Sequence, residues 1–210
     1  MIITEVRLGI AAALTFAVAA CSTTNEVATR ARIDQAPPGA FVQPLPTPLN
    51  TEADTASGEQ DMQIYLTGYS FWDNTPRGSA RIARPVIHRS AGGTGTYADP
   101  ITLAVGHVKR GSRSIMDFPE GTRFYVERLR KYAIVEDLCG DGPRPQNGPC
   151  HSGHNGLAWL DIYVGGKTMN ADDVNRCMYR ITGVQKVVMN PAPDYLVQPG
   201  EISTTGCTVF

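Results

Sequence analysis

Net charge is nearly absent from this 210-residue chain: 19 Lys and Arg stand against 20 Asp and Glu, a formal balance of -1. That leaves no electrostatic reason to expect nucleic acid or an anionic membrane surface as a partner. Internal repeats are not evident, and the apolar stretch from Leu8 to Ala20 has only thirteen residues, too few to span a bilayer as a helix. Neither a Gly-x-Ser-x-Gly elbow nor a His-Glu-x-x-His zinc signature occurs. Gly92-Gly93-Thr94-Gly95 lacks the Lys-Ser/Thr pair that grips phosphate. No metal and no cofactor are therefore expected. What the chain does have is turn formers, 21 Gly and 15 Pro, with 42% hydrophobic and 19% charged residues. This composition fits a compact β domain plus a linker and argues against a coiled coil or wholesale disorder.

The N-terminal segment reads as a targeting device. Arg7 precedes the apolar stretch, which ends Val18-Ala19-Ala20-Cys21. Small residues directly before a cysteine resemble a bacterial lipoprotein lipobox, which implies cleavage before Cys21 and its lipidation. Ser22 after the cysteine implies outer-membrane sorting in a Gram-negative envelope, with the chain lipid-anchored and facing the periplasm. An ordinary signal peptide is the alternative. Residues 1–21 are thus read as the leader with its lipobox cysteine, and residues 22–61, with Pro37-Pro38-Gly39 and Pro44-Leu45-Pro46-Thr47-Pro48, as a semi-extended tether.

With Cys21 set aside, Cys139, Cys150, Cys177 and Cys207 form an even set, as expected in an oxidising compartment. Of the three possible pairings, Cys139 with Cys150 and Cys177 with Cys207 are favoured, because each closes a local loop. A zinc site of Cys139, Cys150, His151 and His154 is the alternative, although its cysteines are eleven apart where zinc pairs normally sit two to four apart.

The domain is expected over residues 62–210. Met62, Ile64 and Leu66 alternate with polar neighbours, as do Ile101, Leu103 and Val105, the period-2 pattern of half-buried strands. Further strands are predicted at 83–88, 123–129, 132–136, 158–164 and 179–189. One short helix is predicted over 171–177, with Asn170 as N-cap and Asp172 and Asp173 in its first turn. Many short strands in about 150 residues imply a small all-β barrel or sandwich.

Three segments carry a resemblance. Pro119-Glu120-Gly121-Thr122-Arg123-Phe124-Tyr125-Val126, then Ala133-Ile134-Val135-Glu136-Asp137, then Leu160-Asp161-Ile162-Tyr163-Val164-Gly165-Gly166 run in the order of motifs in the three-aspartate domain. That domain is a six-stranded double-psi β-barrel, found also in membrane-bound lytic transglycosylase A, rare lipoprotein A, expansins and small endoglucanases. The segment from His88 to Leu103 also resembles secreted proteins with the same barrel. The resemblance implies an all-β, six-stranded double-psi barrel. In one place the chain departs from the pattern: the Cys139 to Cys150 insertion and His151-Ser152-Gly153-His154-Asn155-Gly156 separate Asp137 from Asp161 by 24 positions. That loop would reshape the cleft rim.

Asp161 is the leading chemical candidate. On a regular strand it shares a face with Trp159 and Tyr163, and a carboxylate set between aromatics loses solvation, so its pKa rises and it can serve as a general acid. In the related transglycosylases and endoglucanases the matching aspartate is the catalytic acid. A buried aspartate tying down a crossover loop is the structural alternative. Asp137 either couples to Asp161 or caps backbone amides beside Cys139. Asp73 in Phe71-Trp72-Asp73 resembles the Tyr-Trp-Asp of the endoglucanases, where that aspartate is the base. Tyr69, Trp72, His88, Asp99, His154, Trp159 and Tyr163 are the candidate substrate contacts, the aromatics as stacking platforms for sugar rings.

Three function classes follow: a cell-envelope enzyme cleaving peptidoglycan or a related polysaccharide, a non-catalytic glycan-binding module, and a structural lipoprotein without a sugar ligand. The strand-borne aspartates favour the first. The expected partners are a polysaccharide and, through the lipid anchor, a membrane, with the protein a monomer.

Overall fold

In the computed structural model, which describes residues 58–210, six strands close into a barrel in the order β1-β7-β2-β6-β5-β8. They are β1 (Gln60–Tyr69), β2 (Ile101–Val105), β5 (Arg123–Val126), β6 (Lys131–Leu138), β7 (Ala158–Tyr163) and β8 (Gly183–Met189). β3 (His107–Arg110) and β4 (Arg113–Met116) form a separate hairpin. Two pairs, β1 with β7 and β2 with β6, run parallel, and the remaining neighbours run antiparallel. The expected small, closed, six-stranded all-β barrel is therefore what the chain forms. The leader, Cys21 and nearly all of the tether lie outside the described residues.

Alternation decides what faces inward. Ile64 and Leu66 on β1, Leu160 and Ile162 on β7, Leu103 on β2 and Val135 on β6 are fully buried and fill the interior. Their sequence neighbours Tyr65, Thr67, Trp159 and Asp161 consequently stand on the outer wall, and the parallel register sets Tyr65 beside Trp159, Thr67 beside Asp161 and Tyr69 beside Tyr163.

Elsewhere the structure corrects the strand predictions. Residues 83–88 are irregular, because Pro85 withholds a donor and the Arg84 amide instead donates to the Glu136 carbonyl at 2.9 Å. Residues 179–181 belong to a helix, α2 (Ala171–Ile181), and not to the last strand. That helix starts as predicted, the Asn170 side chain accepting from the Asp173 amide at 2.9 Å. It buries Val174, Cys177 and Ile181. Gly68 on β1 permits the close approach, since a Cβ there would stand 3.0 Å from Ile181 Cδ1. The one-turn α1 (Pro149–Ser152) and the hairpin had no periodic signal long enough to detect.

Both expected disulfides are present, Cys139–Cys150 and Cys177–Cys207. The second joins α2 to the C-terminal segment across a sequence separation of 30. Replacing both Cys177 and Cys207 with Ala should lower stability by about 3–4 kcal/mol, because the unfolded chain regains the loop entropy. Denaturant midpoints of the two proteins measure this; an unchanged midpoint would mean that the burial of α2 alone holds the tail.

Candidate active-site cleft

A cleft of about 500 Å³ opens on the outer wall of the barrel, within the range of small-molecule sites. One side is the turn after β1 with the segment 81–83, and the other is the start of the loop after β6 at Cys139–Gly142. Ala104, Asp137 and Asp161 lie between them. Thr75 Oγ1 donates to Asp141 Oδ2 at 2.9 Å, linking the two sides.

The placement of Asp161 follows from strand pairing. β7 sits between β1 and β2, with Thr67 opposite it on one side and Ala104 on the other. Thr67 Oγ1 donates to Asp161 Oδ1 at 2.7 Å, and Trp159 Nε1 donates to Thr67 Oγ1 at 2.8 Å. Oδ2 lies 3.9 Å from Cys139 Sγ, whose sulfur is in a disulfide and has no proton to give. Burial pushes the Asp161 carboxyl up to about 7, opposed by the Thr67 hydrogen bond and reinforced by the charges of Asp73 and Asp137. A carboxylic acid still half-protonated near neutrality, on the wall of a cleft, is poised to donate a proton.

Asp137 reaches the same wall through a bulge. The β2–β6 register shifts between Leu103 and Ala104, so Val135 pairs with Leu103 and Asp137 with Ala104. The extra residue lets two successive carboxylates, Glu136 and Asp137, both leave the barrel interior. The Asp137 oxygens are occupied: Oδ1 accepts from the Ala83 and Leu138 amides, each at 2.9 Å, and Oδ2 from the Tyr69 hydroxyl at 3.1 Å. Burial raises its pKa even so, against those hydrogen bonds. Tyr69 is raised well above its ordinary value by burial and by the adjacent charges of Asp137 and Asp161, which keeps it a donor. Asp73 is exposed and lines the cleft, with Oδ1 accepting from the Ser70 amide at 2.6 Å and the Ser70 hydroxyl at 2.7 Å.

Asp161, Asp137, Asp73 and Tyr69 therefore meet at one cleft. The other sequence-derived candidates lie outside its lining. Trp72 turns its indole N–H to the Gly166 and Met169 carbonyls and packs against the core. His154 stacks on Tyr65 with ring centroids 4.0 Å apart, and Trp159 meets Tyr65 edge-on at 4.7 Å, making an aromatic group around the Thr67 hydrogen bond. Tyr163 packs edge-on against Tyr69, and burial lifts it to about 12.

His88 and Asp99 form a different cluster. His88 Nδ1 and Glu136 Oε2 are 2.6 Å apart, and Nε2 and Asp99 Oδ1 are 2.9 Å apart. Glu136, wholly buried, also accepts from the Val86, Ile87 and His88 amides and from Thr102 Oγ1. Burial alone pushes His88 down, but its hydrogen bonds to Asp99 and Glu136 and their charges more than offset this and raise its pKa. Burial likewise pushes Glu136 up, and the His88, Ile87 and Val86 donors overcome it, so the carboxyl is held below its ordinary value.

Sequence reasoning missed Thr67, Glu136, His107 and the cleft role of Cys139. The alternation of β1 contained the signal for Thr67, which stands two positions before Tyr69 on the same face. His107 lines the cleft and is nearly wholly buried, with Nδ1 unpaired among the described residues; burial lowers its pKa and leaves the imidazole neutral at pH 7.

Residues 61–208 match the family described as the DDB_G0273701 N-terminal domain. A Dictyostelium discoideum protein, named Uncharacterized protein DDB_G0273701/DDB_G0273221, is 31% identical over 144 residues, covering 68% of this chain and 57% of the relative. The chain thus spans a little over half of that relative's length. No solved structure matches the chain. One expectation is overturned: the envelope location, lipid-anchored at a bacterial outer membrane, conflicts with a family and a relative that come from a eukaryote. Small residues before a cysteine are a short motif, and an apolar leader of another kind satisfies the same pattern.

Proposed function

This chain belongs to the DDB_G0273701 N-terminal domain family, and on the chemistry of its cleft we propose that it cleaves a polysaccharide by general acid catalysis. The observation that carries this reading is Asp161: a carboxyl with one oxygen tied to Thr67, the other free of any donor among the described residues, and a pKa of about 7, on the wall of a cleft roomy enough for a short saccharide. Asp161 protonates the glycosidic oxygen as the bond to the anomeric carbon breaks. Asp137, its oxygens engaged by amides and Tyr69, acts on Asp161 through its charge and does not touch the substrate. Asp73, with Oδ2 uncommitted among the described residues, is the candidate base that takes a proton from attacking water. The likeness of the three segments 119–126, 133–137 and 160–166, two of them bearing Asp137 and Asp161, to double-psi barrels that act on glycans supports the same assignment.

Two stereochemical outcomes divide on Asp73. With a base across the cleft, water attacks and the product is a new reducing end of inverted configuration. Without one, Asp161 itself accepts a proton from a sugar hydroxyl as that oxygen closes on the anomeric carbon, and an anhydro sugar leaves. Digestion of a panel of polysaccharides, including chitin, cellulose and peptidoglycan, with products read by mass spectrometry, tests the proposal. Reducing ends that vanish in Asp73→Asn identify hydrolysis, and anhydro ends that persist in that variant identify the internal reaction. Polymers that bind the protein and remain intact would replace catalysis with glycan binding.

A further inference from the structure

Trp159 carries no group that can donate to or accept from a glycan beyond its indole N–H, and that N–H is already spent within the barrel wall. It points at Thr67 Oγ1, 2.8 Å away, and Thr67 Oγ1 in turn lies 2.7 Å from Asp161 Oδ1. An indole nitrogen only donates, whereas a hydroxyl has one proton and two lone pairs. The Trp159 proton therefore occupies one Thr67 lone pair, and the single Thr67 proton points at Asp161 Oδ1. Against the ionised carboxylate, which can only accept, the chain runs from Trp159 to Thr67 to Asp161, and the Trp159 donor favours that direction by taking one of the two lone pairs that could receive a proton from Asp161.

We propose that Trp159 is a positioning residue for the general acid, acting through Thr67 to commit Oδ1 of Asp161 as an acceptor and so to place the transferable proton on Oδ2. The second oxygen is suited to hold it. Among the described residues its one polar partner within hydrogen-bonding range is Cys139 Sγ at 3.9 Å, a disulfide sulfur without a proton, on a residue that lines the cleft. The proton thus sits on the oxygen beside the loop after β6, while the other oxygen is held against β1. The β1–β7 register makes the arrangement possible, because Tyr65 faces Trp159 and Thr67 faces Asp161 on adjacent steps of one wall. Tyr65 and His154 then hold the indole from the side, edge-on at 4.7 Å and 6.3 Å between ring centroids. The other titratable groups that act on this carboxyl are Asp73 on the turn after β1, Asp137 on β6 and Tyr69 on β1.

The inference rests on the proposed role of Asp161, but its test needs no substrate. The side-chain carboxyl carbon of Asp161 is followed by NMR in the full chain labelled with ¹³C-aspartate, with Asp161→Asn supplying the assignment. A donor to the carboxylate lowers its pKa, and a donor that is itself hydrogen-bonded is strengthened by about 10–30%. Thr67→Val should move the titration midpoint up by about one pH unit, and Thr67→Ser should leave it near that of the parent. Trp159→Phe, which removes only the N–H function and some ring area, should move it up by a smaller amount, and should add nothing in the Thr67→Val background. An unchanged midpoint in a folded Trp159→Phe protein overturns the proposal, as does an equal shift with and without Thr67. If Trp159→Phe does not fold, the Thr67 pair decides: the same midpoint in Thr67→Val and Thr67→Ser removes the hydroxyl from the chain of donors and the proposal with it. Should the polysaccharide panel remain uncleaved while these shifts appear, the catalytic reading fails and the positioning of the carboxyl stands.

Discussion

Asp161→Asn is expected to abolish turnover and, above neutral pH, to make the protein more stable. The amide keeps the shape and can still accept from Thr67 at Oδ1, while its NH₂ occupies the place of Oδ2, where no donor among the described residues opposes it. The rate should fall roughly 10²- to 10⁴-fold, the range of a general acid. Stability moves the other way because the folded carboxyl has a pKa of about 7 against an ordinary 3.8. The fold binds the proton more tightly than the unfolded chain does. The resulting stabilisation is complete below 3.8, declines as pH rises, and is gone once pH has passed about 7, where a buried charge remains. The variant has no such charge, so at pH 8 it should gain about 2–4 kcal/mol relative to the parent, and at pH 3.5 the difference should vanish. Paired thermal melts at these two pH values, with turnover measured on the same samples, check both halves. Near-native turnover would place the acid elsewhere, and a variant less stable than the parent at both pH values would assign Asp161 a structural role. For the parent, the same pKa predicts a rate that falls as pH rises through about 7.

Glu136→Ala should be the most destabilising single substitution on the outer wall. It strands three backbone amides, the Thr102 hydroxyl and Nδ1 of His88, all of which now share one wholly buried carboxylate. Removing one partner of a buried, hydrogen-bonded pair costs about 3–5 kcal/mol. The cost should depend on pH at both ends. Glu136 is held below its ordinary value of 4.5, so its contribution is present above that value and is lost as pH falls through the lowered one. His88 is raised above 6.5, so its contribution is present below 6.5 and is lost as pH rises through the raised value. The difference between parent and variant should therefore be largest between these ordinary values, and denaturant titrations across pH 3 to 9 would trace it. A flat profile would mean that the amide hydrogen bonds alone, without the imidazolium pair, account for the loss. Substrate affinity should drop as well, because the segment held by Glu136 continues from Arg81–Ala83 on the cleft wall.

These two carboxylates also show where reading the sequence reaches its limit. Glu136 ends the predicted strand 132–136 and Asp137 follows it, and in regular extended chain two successive residues face opposite sides. Asp137 drew attention through the family motif and Glu136 did not. The bulge opposite Leu103–Ala104 turns both outward, and their roles then divide by what each one meets: the amides of 86–88 for Glu136, Tyr69 and the Ala83 amide for Asp137. A bulge is a mismatch between two strands distant in sequence, and no local pattern announces it.

Several features were determined by the sequence alone. Period-2 alternation marked β1 and its inward Ile64 and Leu66, since burial of one strand face needs nothing beyond local geometry and hydrophobicity, whereas β2, located by the same pattern as half-buried, is buried on both faces because segments outside the barrel cover it. The N-cap of α2 was legible because Asn170 satisfies an amide three residues away. Both disulfides followed from short loops between cysteines. Asp161 was legible from its neighbours on one strand. The tertiary structure alone decided the rest: which aromatics reach the cleft, that His88 pairs with both Glu136 and Asp99 away from it, and that Trp159 and Thr67 line up in hydrogen-bond distance of Asp161. Each of these depends on the parallel register of β1 with β7 or on a loop returning to the wall, contacts between residues 48 to 94 positions apart, whose pairing is chosen by closure of the barrel as a whole.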